Sequence, residues 1–248
     1  MPDLKGKVAI VTGASKGIGA AIAEKLAASG AAVAVNYAKS ATEAESLVRR
    51  IRNGGARAIA VQADLSQPAE AEKLFKRALQ EFGRVDILVN NAGTYEFLPL
   101  SGIEEEHFDR MFNLNVKGLL FASKQAAAAF ADNGGSIINI SSVVSTSPKP
   151  NGSVYSATKA AVDAITKSLA IELGPKKILV NSVLPGVTET EGFQAAPEAE
   201  FFRNYAMAQT PLGRVGKPQD IAGVVAFLAS DDAKWITGQL ITASGGLQ

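Results

Sequence analysis

The sequence predicts an α/β protein built on a parallel sheet with helices on both faces. Short runs of β-branched residues alternate with helical segments along the whole chain of 248 residues, and a glycine-rich turn separates the first strand from the first helix. Such alternation is typical of a parallel sheet that is covered on both faces. We find no internal repeat, low-complexity tract or linker, so the sequence predicts a single domain over residues 1–248.

Seven strands are predicted from apolar, β-branched runs that end at turn residues. The first run ends at Thr12-Gly13, and the others are bounded in similar ways by glycine, asparagine or polar residues. In chain order the strands cover residues 8–11, 32–36, 58–61, 85–89, 137–140, 178–184 and 239–242.

The helices between these strands carry their own start and stop signals. The first is rich in alanine, the second has a polar face and ends at Gly54-Gly55, and Pro68 and Pro218 occupy favourable first-turn positions. A bend is expected near Asn113 in the longest helical stretch. The predicted helices cover residues 19–29, 42–53, 68–82, 104–130, 155–173 and 218–230.

Residues 187–212 fit neither pattern. The stretch follows the carboxyl end of the sixth predicted strand and carries several large apolar side chains among four glutamates. Long insertions at that edge of a sheet are often functional, so we predict a substrate lid, with a helical excursion packed on the surface as the alternative. The large apolar residues are Phe193, Phe201, Phe202, Tyr205 and Met207.

Composition excludes several classes of function. Apolar residues make up 47% of the chain and charged residues 20%, which is ordinary for a soluble globular protein. The net charge of +1 gives no reason to expect nucleic acid or an anionic membrane as a partner. With no cysteine and one histidine, His107, we expect neither thiolate chemistry nor a metal site. No apolar run approaches the roughly 18 residues of a membrane span, so we expect a cytoplasmic protein.

Tyr155 and Lys159 lie four residues apart, and Ser142 lies thirteen positions upstream at the end of a predicted strand. On a helix this spacing places the phenol and the amine on one face. A nearby ammonium favours the phenolate, so we expect Lys159 to lower the pKa of Tyr155 from its usual value of about 10. Tyr155 would then act as a general acid/base at a substrate oxygen to which Ser142 donates a hydrogen bond. Taken alone, Tyr-x-x-x-Lys arises by chance on many helices.

The turn from Thr12 to Gly19 has the spacing G-x-x-x-G-x-G. Glycines there let backbone N–H groups approach a pyrophosphate at the N-terminus of the helix. After the second strand, where an NAD site offers an acid to the ribose 2′-hydroxyl, the chain reads Asn36-Tyr37-Ala38-Lys39-Ser40. Lys16, Asn36 and Ser40, with Lys39, could instead receive a 2′-phosphate. This favours NADP(H) over NAD(H) as the cofactor.

Two short patterns also allow a serine hydrolase. Gly13–Gly17 satisfies G-x-S-x-G around Ser15, and Ser156–Lys159 satisfies S-x-x-K. Against this hypothesis, the chain has no K-T-G companion, and the one histidine available for a triad, His107, follows three glutamates. We expect that histidine to be a solvated surface residue, so the hydrolase is a remote alternative.

Read together, five motifs in order resemble the short-chain dehydrogenase/reductase family. The resemblance spans about residue 5 to residue 246, and it implies a Rossmann domain with a seven-stranded sheet in the order 3-2-1-4-5-6-7. The motifs are Thr12–Gly19, Asn90-Asn91-Ala92-Gly93, Ser142, Tyr155 with Lys159, and Pro185-Gly186.

The resemblance also implies a catalytic set of Asn115, Ser142, Tyr155 and Lys159. In it Ser142 polarises a carbonyl oxygen and Tyr155 gives it a proton, while Lys159 holds the cofactor ribose. Asn115 anchors a water that relays protons to Lys159.

The family pattern further implies where the cofactor lies. Asp64 would contact adenine, Asn90 and Gly93 would flank the adenine ribose, and Pro185, Gly186 and Thr188 would frame the nicotinamide above Ile18. The full set expected to contact the cofactor is Gly13, Ser15, Lys16, Gly17, Ile18, Gly19, Asn36, Tyr37, Ser40, Asp64, Leu65, Asn91, Ala92, Gly93, Tyr155, Lys159, Pro185, Gly186, Val187 and Thr188. Family members commonly form tetramers through their two long helices, so we expect a homotetramer.

The resemblance is strongest to 3-oxoacyl-acyl-carrier-protein reductases and to broad ketone reductases. Lys176 and Lys177 suit the docking of an acidic carrier protein, whereas the acidic lid and the turn at residues 131–135 do not. We therefore expect a ketone or aldehyde, or a secondary alcohol in reverse, ahead of an acyl-carrier-protein thioester. An alcohol or sugar dehydrogenase comes third. A non-catalytic dinucleotide sensor is remote, because such relatives usually lose the tyrosine or the lysine.

Overall fold

The computed structural model describes residues 2–132, 134–194 and 199–247. Among these residues seven strands form one parallel sheet in the order β3-β2-β1-β4-β5-β6-β7, which confirms the predicted order. Each predicted strand is present, with ends that shift by one or two residues. The strands are β1 Val8–Val11, β2 Ala32–Tyr37, β3 Ala58–Gln62, β4 Ile87–Asn90, β5 Gly135–Ile140, β6 Ile178–Pro185 and β7 Leu240–Ala243.

Helices cover both faces of this sheet. Every residue of β1 and of β4 is buried, as expected for strands that have a hydrophobic layer on each side. The helices are α1 Gly17–Ala28, α2 Ala41–Asn53, α3 Pro68–Phe82, α4 Glu105–Phe112, α5 Leu119–Ala129, α6 Ser153–Leu173, α7 Glu191–Gln194, α8 Ala199–Gln209 and α9 Pro218–Leu228.

Alternate side chains of the strands belong to two separate cores. Val11 and Val89 point to the core that α1, α2 and α9 close, where Leu26 of α1 is fully buried. Ile10 and Leu88, their neighbours in sequence, point to the core that α3, α5 and α6 close. This division follows from the two-residue repeat of a strand, and it explains why the strands read as continuous apolar runs.

The bend predicted near Asn113 is a turn of π-helix over Asn113–Gly118, between α4 and α5. Gly118 closes this turn against the loop after β3, because a Cβ at that position would lie 2.5 Å from the carbonyl oxygen of Leu65. Single π-turns inside longer helices often mark functional sites. This one contains Asn115.

The predicted lid contains two helices among its described residues, while residues 187–190 and 210–212 are not helical. It contains α7 and α8, while residues 195–198 lie outside the described residues, as does Asn133 in the turn before β5. An ion pair joins Arg203 of α8 to Glu189, which precedes α7.

Two further features concern the surface. Trp235, the only tryptophan of the sequence, precedes β7 and has 98% of its surface exposed. No helix in the described part of the chain combines the length and apolar character needed to cross a bilayer.

Candidate active site

Four loops meet at the carboxyl edge of the sheet. They follow β1, β4, β5 and β6, and they carry Gly13, Gly93, Ser142 and Gly186. Strand order reverses between β1 and β4, so a crevice opens there. In open α/β sheets this crevice is where ligands bind.

Ser142 and Tyr155 lie together at this edge, close enough for the serine hydroxyl to favour the phenolate of Tyr155. Ser142 follows β5 in an extended conformation, and its Oγ accepts a hydrogen bond from the Val144 backbone N–H at 3.3 Å. Tyr155 lies in the first turn of α6, and Lys159 lies one turn further on. The structure therefore brings the predicted serine, tyrosine and lysine together.

Burial raises the pKa of Tyr155 to about 12. The Ser142 hydroxyl opposes this rise, and the nearby phenol of Tyr95 adds a smaller increase. The expectation that Lys159 would make this phenol acidic is wrong. The Lys159 Nζ lies 5.7 Å from the centre of the Tyr155 ring and donates to the Ile140 carbonyl oxygen at 2.8 Å. At that distance the amine does not offset the loss of hydration that the phenolate would suffer.

Lys159 is itself buried. Burial lowers its pKa to about 8, and the carboxylate of Asp163, one turn further along α6, opposes this change. The amine lies close to the loop after β4, since a Cβ added to Gly93 would be 3.8 Å from Nζ and 3.2 Å from Asn115 Oδ1. Glycine at position 93 therefore leaves room beside the amine.

Asn115 clamps the backbone of the same loop. Its Oδ1 accepts a hydrogen bond from Thr94 N at 2.8 Å, and its Nδ2 donates to Thr94 O at 2.8 Å and to Thr158 Oγ1 at 3.1 Å. Both amide hydrogens are therefore used within the protein. The side chain fixes the loop to α6, and it has no N–H left to hold a water.

The glycine turn has the shape that a pyrophosphate needs. Gly13 and Gly17 both have positive φ angles, of 58° and 60°, and a Cβ on Gly13 would lie 2.8 Å from Ala92 Cα. Helix α1 begins directly after this turn, and within the described chain no side chain caps its N-terminus and no acid lies in its first turn. Its first N–H groups therefore point at a site suited to an anion.

Asn91 holds the turn in place. Its Nδ2 donates to the carbonyl oxygens of Thr12 and Gly13, both at 2.9 Å. The backbone N–H groups of Asn91 and Ala92 donate to Thr12 Oγ1. Asn91 and Ala92 thus contact the glycine turn directly, and a Cβ on Gly19 would lie 2.5 Å from Asn91 Nδ2.

The expectation that the Asn36 side chain would bind a 2′-phosphate is wrong. Asn36 is buried at the end of β2, where its Oδ1 accepts from Gly13 N at 3.1 Å. Its Nδ2 donates to Ala63 O at 3.0 Å and to Val61 O at 3.3 Å. The amide ties the glycine turn to β3, and it has no N–H left for a phosphate.

Other residues at this end of the crevice remain available. Lys16 and Lys39 are exposed, and Tyr37 and Ser40 are partly exposed. Asp64 is exposed and accepts a hydrogen bond from Ser66 N at 3.0 Å, whereas Leu65, which follows it, is buried.

Asn90, expected beside the adenine ribose, faces the protein interior. Its Nδ2 donates to Ser123 Oγ at 3.0 Å and to Asn139 Oδ1 at 2.9 Å, and Asn139 in turn donates to Thr166 Oγ1. All four residues are buried. They form a polar chain that links β4 and β5 to α5 and α6, which is a structural role.

The loop after β6 forms the other wall of the crevice. A Cβ on Gly186 would lie 2.8 Å from Ser244 Cβ, and Thr188 Oγ1 donates to the Gly186 carbonyl oxygen at 3.0 Å. Thr188 forms an isolated parallel β-bridge with Gly216. This bridge lies where the chain passes from Pro185 and Val187 into the segment predicted as a lid. Thr190, in the segment predicted as a lid, lies against the glycine turn, because a Cβ on Gly17 would be 3.3 Å from Thr190 Cγ2. Ile18, the second residue of α1, is partly buried.

Two aromatic residues of the site were not anticipated. Tyr95 and Phe97 follow Gly93, and the centres of both rings lie 6.0 Å from the centre of the Tyr155 ring. Their position directly after the Asn-Asn-Ala-Gly motif was the only available signal, because sequence alone does not show which way a loop side chain points.

The hydrolase patterns do not form a catalytic arrangement. His107 is buried, not solvated as expected, and neither ring nitrogen has a hydrogen-bond partner among the described residues. It therefore does not activate Ser15. Ser156 Oγ is likewise buried without a partner in the described structure, so it makes no hydrogen bond to Lys159.

A glycine turn at the switch point of a parallel sheet, with a serine–tyrosine pair beside it, defines a dinucleotide-dependent oxidoreductase. Comparison with known proteins agrees. The family described as enoyl-(acyl carrier protein) reductase matches residues 13–248. An uncharacterized oxidoreductase of Methylorubrum extorquens is 56% identical over the full length of both chains. The hydroxynaphthalene reductase-like protein Arp2 of Metarhizium guizhouense is 44% identical, over 98% of this chain and 96% of that protein.

Solved structures show the same relationship. The angucycline C-6 ketoreductase LanV, crystallised with NADP, has a TM-score of 0.93 and 42% identity, over 99% of this chain and 97% of the other. A short-chain dehydrogenase of Burkholderia cenocepacia in complex with NADP has a TM-score of 0.93 and 39% identity, over 98% of each chain. The protein belongs to the short-chain dehydrogenase/reductase family, and its relatives include reductases.

Proposed function

We propose that the protein is an NADP(H)-dependent reductase of ketones or aldehydes, with Tyr155 as the proton donor. The observation that carries this proposal is that Ser142 and Tyr155 lie together beside a glycine turn shaped for a dinucleotide. The names of two relatives, a ketoreductase and a hydroxynaphthalene reductase-like protein, support reduction as the reaction.

Tyr155 is in the protonation state that a proton donor needs. A phenol with a pKa of about 12 is fully protonated at neutral pH, so it is ready to give a proton to an oxygen that gains negative charge. The alternative of an alcohol or sugar dehydrogenase would use the same groups in reverse, because the acid of one direction is the base of the other.

Each polar group has a separate task in this mechanism. The bound cofactor supplies the hydride. Ser142 and Tyr155 both bind the carbonyl oxygen, which polarises the carbonyl and holds its carbon in place, and the Tyr155 proton then neutralises the developing alkoxide. Lys159, which lies beside Gly93, would bind the ribose hydroxyls of the cofactor. Asn115 keeps the Thr94 loop in position and does not itself transfer protons.

For the cofactor we propose binding across the crevice. Gly13, Ser15, Gly17 and Gly19 would receive the pyrophosphate at the N-terminus of α1. Lys16, Tyr37, Lys39 and Ser40 would surround the 2′-phosphate, and no acid between residues 36 and 40 repels it. The NADP in the two related crystal structures agrees with the preference predicted from the sequence. Contacts to the bases and sugars would come from Asp64 and Leu65 at one end, Asn91, Ala92 and Gly93 in the middle, and Ile18, Pro185, Gly186, Val187 and Thr188 at the other.

An acyl-carrier-protein thioester is the second candidate substrate. The description of the matching family names a carrier protein, and Lys176 and Lys177 are exposed beyond the end of α6. An acidic carrier protein would be attracted to these two lysines.

The decisive experiment measures NADPH oxidation with ketones, aldehydes and a 3-oxoacyl thioester, free and carrier-bound, using wild type and Tyr155→Phe. We expect kcat to fall by roughly 10²- to 10⁴-fold with little change in cofactor affinity. Phe227→Leu, at an exposed aromatic of α9 outside the predicted lid, is the control and should retain activity. Unchanged turnover in Tyr155→Phe would refute the assignment of the proton donor. Faster turnover of the carrier-bound thioester than of every simple ketone would favour the second candidate.

Three further expectations stay predictions of this proposal: one catalytic domain, a lid at about 187–212 and a cytoplasmic homotetramer. Phe108 of α4, Leu120 of α5 and Ile171 of α6 are exposed large apolar side chains. They are the groups that an assembly through the long helices would cover.

A further inference from the structure

The rings of Tyr95 and Phe97 form an aromatic cluster with the ring of Tyr155. The Tyr95 and Phe97 ring centres lie 6.3 Å apart, and each is 6.0 Å from the centre of the Tyr155 ring. The planes meet at 52° to 67°, so the rings are tilted toward one another and not stacked in parallel. Tyr95 and Phe97 nevertheless remain 57% and 45% exposed.

The loop that carries these rings is fixed from several sides. Asn115 holds Thr94, and Leu98 N donates to Asn151 O at 2.8 Å. An ion pair joins Glu96 to Arg110 of α4. Because this loop is anchored at both ends and in the middle, the exposed rings are held in place beside Tyr155.

Phe97 also packs directly over the start of α6. A Cβ on Gly152 would lie 3.0 Å from Phe97 Cε1, so this ring covers the residue before the first turn of the helix that carries Tyr155. The two new rings are therefore tied to the same helix end as the proton donor. A substrate held by both rings would have its position set relative to the Tyr155 hydroxyl.

We propose that Tyr95 and Phe97 form an aromatic platform that selects ketones whose carbonyl is carried on, or fused to, an aromatic ring. Aromatic pairs are favourable at centre-to-centre distances of about 4.5–7 Å in tilted or offset arrangements, and three rings spaced at 6 Å leave a fourth ring within that range of each. The platform itself carries no charge, since the Glu96 carboxylate is paired with Arg110, which suits an uncharged ring system. This inference rests on the proposed reductase activity and names its substrate class.

The matched substrates are 2-tetralone and 2-decalone, which share one ten-carbon skeleton with an aromatic ring in the first and a saturated ring in the second. The ratio of their kcat/KM values with NADPH isolates the contribution of aromaticity. We expect wild type to favour the tetralone. Tyr95→Leu and Phe97→Leu should each lower the ratio by roughly two- to tenfold, because leucine keeps apolar contact and loses the ring. Tyr95→Phe should retain the ratio.

Phe227→Leu, an exposed aromatic of α9, is the matched control and should leave the ratio unchanged. A double variant of Tyr95 and Phe97 with an unaltered ratio overturns the platform. An equal fall in kcat/KM with both ketones also overturns it, because it would show that the rings only support the loop or contact the predicted lid.

A binding measurement separates this inference from the proposed reaction. Calorimetric titration of 2-naphthol, in the presence of NADP⁺, should show a Kd that rises by two- to tenfold for each ring replaced. If wild type binds 2-naphthol in this ring-dependent way but reduces no carbonyl compound, the reductase proposal fails and the platform stands. If ketones are reduced but naphthol does not bind, or binds equally to the double variant, the platform fails alone.

Discussion

Replacing Lys159 with methionine should stabilise the protein at neutral pH while it abolishes turnover. Burial lowers the pKa of this lysine from 10.5 to about 8. One pKa unit corresponds to about 1.4 kcal/mol, so the protonated amine destabilises the folded state at pH 7 by about 3 kcal/mol. Methionine has a similar length and no charge, but it loses the hydrogen bond to Ile140 O, which costs about 1–2 kcal/mol. We expect a net gain of about 1–2 kcal/mol.

The pH dependence of this gain gives the sharper test. Because the pKa of folded Lys159 lies below its unfolded value, the unfolded chain binds more protons between about pH 8 and pH 10.5, and wild type becomes more stable as the pH rises through that window. Between about pH 7 and pH 9.5 wild type should therefore gain about 2 kcal/mol relative to the variant, which removes the variant's advantage.

Urea unfolding followed by circular dichroism measures both stabilities, with cofactor absent. Lys167→Met, on an exposed lysine of the same helix, is the control and should show little dependence on pH relative to wild type. Two results would show that burial does not destabilise the protonated amine. One is a Lys159→Met variant that is less stable than wild type at pH 7. The other is a difference in unfolding free energy between variant and wild type that is the same at both pH values.

Three more substitutions test the loops around the crevice. Gly13→Ala places a Cβ 2.8 Å from Ala92 Cα at a φ of 58°, so the glycine turn should be distorted. NADPH affinity, measured by fluorescence titration, should therefore fall at least about tenfold. Unaltered affinity would show that the turn does not need glycine at this position. Asn36→Leu removes three buried hydrogen bonds and should cost about 2–4 kcal/mol in urea unfolding. A changed NADPH/NADH preference at full stability would instead restore Asn36 as a phosphate ligand. Asn115→Ala should speed hydrogen exchange at the Thr94 and Tyr95 amides and lower kcat; unchanged exchange would remove its role as a clamp.

Much of the fold could be read from the sequence because local signals agree with the tertiary structure. Helix α3 begins at Pro68 and ends at Phe82, as predicted from its first-turn proline and its helical pattern. The central strands β1 and β4 are buried at every residue, so their uninterrupted apolar runs were unambiguous. The bend near Asn113 was also visible, although its π-helical form was not.

The site was only partly predictable, since a sequence shows residue types and not their partners. Asn36 and Asn90 have the right chemistry for a ligand, yet the structure uses their amides to join strands and loops. The pKa of Tyr155 depends on burial, which spacing along a helix does not reveal. For His107 a signal existed: it lies four residues before Met111, and both face inward on α4.

The solitary indole of Trp235 has a practical consequence for anyone who studies this chain in solution. Since its surface is 98% exposed in the folded protein, its emission wavelength will hardly move on unfolding, and it is a poor reporter of denaturation. The same exposure makes it a sensitive reporter of self-association. A blue shift as the protein is concentrated would mean that another subunit has covered that indole, without any label being attached.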